Sequence, residues 1–83
     1  MNFKKSIRFN WFTDWQDEHT KPVLAGVYQR NYSDKIGYCY FGNGIWYISA
    51  NSVEEAKSYY IFGYSSGNQS LTWRGIKEKS SAL

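Results

Sequence analysis

The chain has too little cysteine to staple itself: Cys39 stands alone among 83 residues, so no internal disulfide can form. A lone thiol fits a reducing compartment, and the apolar surroundings Tyr38 and Tyr40 make it a small buried hydrophobe. Histidine is as scarce. His19 has Asp14, Asp17 and Glu18 nearby, but no second histidine or cysteine lies at a metal-ligand spacing, so the segment reads as a polar loop with no metal site. No glycine-flanked nucleophile accompanies the serines or Cys39, and Gly42-Asn43-Gly44 lacks both the dinucleotide and the P-loop spacing. These absences argue against an enzyme and against a bound cofactor. No stretch approaches the ~20 apolar residues that span a bilayer, and residues 6–12 carry Arg8 and Asn10 where an export signal needs an apolar run. The expectation is a soluble protein with no membrane partner.

Aromatic residues are plentiful. Four Trp, eight Tyr and five Phe give a single short domain, residues 1–83, the material for a core that its length would otherwise deny it. The charge is mildly basic at +3. Lys4, Lys5 and Arg8 sit at one end and Arg74, Lys77 and Lys79 at the other, so a fold that joins the ends makes a basic patch for phosphates or an acidic protein surface; a plain solvated surface explains the same charges.

The pattern along the chain predicts an α+β fold: a small antiparallel β-sheet of three to four strands with one short helix packed on one face. Residues 1–20 show no clean period, although Phe9, Trp11, Phe12 and Trp15 must bury somewhere. Val23 to Tyr32 alternates as a strand, with Gly26 a candidate bulge, and residues 31–35 carry turn chemistry. Asn43-Gly44 between two aromatic runs marks a type I′ hairpin that pairs Phe41 with Trp46, Tyr40 with Tyr47 and Cys39 with Ile48. Ser52-Val53-Glu54-Glu55 is a capping box, Val53, Ala56 and Tyr60 form one helical stripe, and Gly63 stops the helix. Leu71 to Arg74 forms a last strand, and residues 77–83 read as a frayed tail.

The hairpin register divides its side chains. Cys39, Phe41, Trp46 and Ile48 make a core face for the helix stripe to cover; Tyr38, Tyr40, Tyr47 and Ile45 make the other. If the preceding strand pairs beside it, Tyr28, Arg30 and Tyr32 extend that tyrosine row. The candidate binding residues are therefore Tyr28, Arg30, Tyr38, Tyr40, Tyr47 and Arg74. Such a surface suits a protein partner, since Tyr, Trp and Arg dominate interface hot spots, or a single-stranded nucleic acid stacked on aromatic rings. A third reading makes these tyrosines a second core beneath the N-terminal aromatics.

Three short patterns carry a resemblance. Residues 21–30, the hairpin at 40–47 and Trp73-Arg74-Gly75-Ile76 resemble a group of small, uncharacterised bacteriophage and prophage proteins with the pattern P-x-x-x-G-x-Y, an F-x-G-x-x-W hairpin and a closing W-R-G. Pro22, Gly26 and Tyr28 match the first part, Phe41, Gly44 and Trp46 approximate the second with different spacing, and Trp73, Arg74 and Gly75 match the third. The resemblance covers about residues 21–76 and is architectural in character. It implies an accessory protein that binds and inhibits or redirects a host or host-defence protein in the host cell cytoplasm, with Trp73 and Arg74 either anchoring the fold or touching the partner.

Overall fold

A computed structural model describes the backbone of residues 7–81 and the side chains of residues 12–76. Its elements are β1 (Ile7–Phe12), β2 (Gly26–Tyr32), β3 (Lys35–Gly42), β4 (Ile45–Trp46), α1 (Val53–Phe62) and β5 (Trp73–Ser81). The strands form one antiparallel sheet in the order β1-β5-β2-β3-β4, with α1 packed against β3 and β2. This is the α+β architecture that the sequence predicts. The additional strand is β1, whose residues carry no legible period and which exists through pairing with the far end of the chain, from Ile7↔Ser81 to Phe12↔Ile76. The segment from residue 77, read as a frayed tail, is therefore paired strand as far as Ser81.

Two turns set the registers. Asn43 and Gly44 take φ of 54° and 79°, the positive values that a type I′ turn demands at both central positions, and Phe41 pairs with Trp46 as its spacing predicts. The ladder is shorter than the sequence suggests: Tyr47 still donates to the Tyr40 carbonyl at 2.9 Å, but the Ile48 N–H goes to the Tyr64 carbonyl and Tyr38 pairs with Ala50. The other turn, Ser33-Asp34, joins β2 to β3 with Tyr32 opposite Lys35, and so puts Tyr28 opposite Cys39 and Arg30 opposite Gly37.

The helix begins and ends as its residues dictate. The Ser52 hydroxyl accepts from the Glu55 N–H at 3.1 Å, while the Glu55 carboxylate reaches one residue further back than the usual box, to the Asn51 N–H at 2.8 Å. At the other end Gly63 adopts φ 77° and ψ 29°, and the N–H groups of Gly63 and Tyr64 close on the carbonyls of Tyr60 and Tyr59, a Schellman stop that needs the left-handed residue.

The helix covers the face opposite to the expected one. Tyr60 stacks on Tyr40 with centroids 4.0 Å apart and meets Tyr47 edge-on at 5.0 Å, so the tyrosine side of the hairpin lies beneath the helix. Gly42 makes this possible: a Cβ there would meet Tyr40 at 2.8 Å and Tyr60 at 3.1 Å. On the other side Cys39, Phe41, Trp46 and Trp73 form the buried cluster, with Tyr28 and Tyr32 packed against it. Two irregular segments close that side. The Trp73 indole N–H donates to the Thr20 carbonyl, Lys21 Nζ to the Gly44 carbonyl at 3.1 Å, and Arg30 to the Asn68 carbonyl at 2.9 Å.

Candidate functional site

The six residues singled out by sequence do not share one exposed face. Odd-with-even pairing across Ser33-Asp34 sends Tyr28 and Arg30 to the side of Cys39 and Phe41, away from Tyr38, Tyr40 and Tyr47. Tyr28 is half-buried, edge-on to Trp73 and Trp46 at 5.2 and 5.9 Å, and its hydroxyl donates to the Leu24 carbonyl at 2.6 Å. Burial pushes its pKa up. Arg30 has no exposed surface at all. Tyr47 is buried and Tyr40 half-buried under the helix. Four of the predicted contact residues are thus packing residues, and the proposed phenolic platform is absent because α1 occupies it.

The remaining two belong together. Gln29 pairs with Tyr38 on β3 and with Arg74 on β5, so Tyr38, Gln29 and Arg74 form one row across three strands on the helix-bearing side. Gln29 is buried, and its Oε1 accepts from Arg74 Nε at 2.9 Å. This fixes the guanidinium plane. Its carbon then lies 4.1 Å from the Phe12 ring centroid and 4.5 Å from that of Trp15. Both residues keep more than a third of their surface in water, at 36% and 38%. The result is an arginine held between two half-open aromatic rings.

Phe12 and Trp15 were missed as site residues. Their partner arrives from the other end of the chain, through Phe12↔Ile76 and the Gln16↔Trp73 bridge, and no local pattern announces that pairing. The same pairing sets Arg8 opposite Ser80 and Trp11 opposite Lys77 in the backbone register. Lys4 and Lys5 lie outside the described residues.

Other groups are simpler. The thiol of Cys39 is buried, and burial raises its pKa above the ordinary value even though the Tyr32 hydroxyl, 3.3 Å away, and Arg30 pull it down. His19 is exposed, its backbone N–H turned onto the Asp17 carboxylate at 2.5 Å, and the described residues contain no group of three or more His, Cys, Asp or Glu placed to hold a metal. No described helix is long and apolar enough to cross a membrane. Apolar surface is also exposed at Val23 and Leu24 and at Ile61, Phe62 and Tyr64. No protein-family model matches this chain, and neither a curated protein nor a solved structure matches it.

Proposed function

We propose that this chain is a non-enzymatic binding protein that holds a partner protein through the surface centred on Arg74, Phe12 and Trp15, with Tyr38 on the same row. The observation that carries the reading is the arginine fixed between two partly exposed aromatic rings. Arg and Trp are the side chains most enriched at interface hot spots, and a guanidinium already oriented by Gln29 loses little freedom when a partner carboxylate or carbonyl meets it. The charge of the Arg74 guanidinium favours an acidic group on the partner surface. The resemblance of residues 21–76 to bacteriophage and prophage proteins supports the finer reading: the partner is a host or host-defence protein, bound and inhibited or redirected in the host cytoplasm.

The test is parallel affinity capture with wild type and Trp15→Ala from nuclease-treated host lysate. A specific protein held by wild type and weakened about tenfold or more by Trp15→Ala, the equivalent of ~1.4 kcal/mol, supports the reading. Recovery of no specific protein, or equal recovery by both, ends it. The same cluster offers rings and a cation to unpaired bases, which makes single-stranded RNA or DNA the second reading. That reading requires nuclease-sensitive binding that weakens steeply as salt rises.

A further inference from the structure

The proposed contact surface leaves Arg30 unused, and among the described residues Arg30 is the buried side chain left with unpaired polar atoms. It sits at the centre of β2 with no exposed surface. Its Nη1 donates to the Asn68 carbonyl at 2.9 Å, while Nε and Nη2 are buried with no hydrogen-bond partner among the described residues. The guanidinium carbon lies 4.5 Å from the Trp46 ring centroid and 5.9 Å from that of Tyr32. Across the strand on one side is Gly37, which brings no side chain, and on the other Trp73. The ionisable groups that interact with it are the Cys39 thiol, a weak acceptor set against the guanidinium, and the Tyr32 phenol; burial raises the pKa of both, and neither supplies a carboxylate. An arginine cannot escape by giving up its proton. Burying it with most of its donors unpaired costs more than contact with the Trp46 face returns.

Which nitrogens are unpaired is informative. Nε and Nη2 carry the parallel N–H bonds along one edge of the guanidinium, the edge that grips both oxygens of a carboxylate or phosphate. The paired nitrogen, Nη1, is the one tied to residues 66–70. That segment is fastened to the sheet by polar contacts: Ser66 N–H to the Trp46 carbonyl at 2.9 Å, and the Gln69 amide to the Trp46 N–H and carbonyl at 2.8 and 2.9 Å. Polar contacts of this kind can exchange for water, so a local opening of residues 66–70 would break hydrogen bonds to Trp46 and Arg30 and leave the β2 ladder intact.

We propose that the Nε–Nη2 edge of Arg30 is an oxyanion-binding site, for a phosphate or carboxylate group, with residues 66–70 as its cover and the Trp46 ring as its floor. The test titrates inorganic phosphate and, separately, acetate into the whole protein, following tryptophan fluorescence and thermal melting. A saturable response, with melting raised by about 5 °C or more at saturation, is expected from at least one probe and is lost at least tenfold in Arg30→Met. Response to phosphate alone assigns a phosphate-bearing ligand, response to acetate alone a carboxylate, and response to both a general oxyanion site. No saturable response to either probe, or an equal response from Arg30→Met, overturns the proposal. Should Arg30→Met fail to fold, the Arg30 Nε–H resonance of the wild-type protein decides: saturable movement supports the site, and an unmoved resonance overturns it.

Discussion

Tyr60 lies flat on Tyr40, their rings 4.0 Å apart at the centroids and 17° from parallel. This contact joins the helix to the sheet, with Tyr47 set edge-on against both rings at 5.0 and 6.4 Å. The three tyrosines are therefore a small core of their own, and their removal registers as lost stability. Tyr40→Ser with Tyr47→Ser should cost about 3 kcal/mol or more, a large share of the total for a domain of this size. Urea denaturation reads it directly. An unchanged midpoint would show that the helix does not depend on this packing.

Arg74 and Trp15 differ in what each leaves behind. Trp15→Ala removes one face of a partly exposed cation–π sandwich and should cost no more than about 1 kcal/mol. Arg74→Ala also strips the hydrogen bond from Gln29, which is buried, and an orphaned amide adds about 1–2 kcal/mol. Thermal melting should therefore rank Arg74→Ala below Trp15→Ala. The reverse order would mean that Gln29 finds another partner and that the row across the strands is not what orients the guanidinium.

Local chemistry was legible wherever it was self-contained. Asn43-Gly44 named its turn and its register because a type I′ turn has few other solutions, and Ser52 to Gly63 announced a helix with both caps. Neither signal says which face of the sheet the helix will cover. That depended on Ser33-Asp34: its two-residue turn sent Tyr28, Arg30 and Tyr32 to the side of Cys39 and Phe41, where they and two irregular segments filled the space. Gly42, lacking a side chain, left the opposite face open to the Tyr40–Tyr60 stack. A shift of one residue in that turn reverses every assignment downstream. The site residues Phe12 and Trp15 were beyond reach for a different reason, since β1 is defined by its partner strand and not by its own period.

Gly44 and Gly63, which cap the hairpin turn and the helix, should be intolerant out of proportion to the space around them. Nothing lies within 4 Å of a Cβ at Gly44 or Gly63, yet their φ values are 79° and 77°. Alanine at either position should cost about 1 kcal/mol through backbone strain alone. Asparagine, which tolerates this conformation better, should recover part of the loss at Gly63. A neutral Gly63→Ala, measured by denaturation, would mean the helix ends without the left-handed cap.

Alkaline pH should destabilise the fold in two stages, beginning at Cys39. Burial, the largest influence on it, raises its pKa in the native state, whereas the unfolded chain releases the proton at the ordinary value. Between those values the native state holds more protons than the unfolded one, so stability falls as pH rises. The contribution is complete below about pH 8.5 and disappears as pH climbs through the raised native value. Tyr28 and Tyr32, both raised chiefly by burial, add a second decline above about pH 10. Cys39→Ala removes the first stage and keeps the second, at the expense of some packing beside Trp46 and Phe41. Urea midpoints measured from pH 7 to pH 11 for both proteins separate the stages: parallel curves would show that the thiol is not protected from ionisation in the folded protein, and that its place between Tyr32 and Arg30 is open to water.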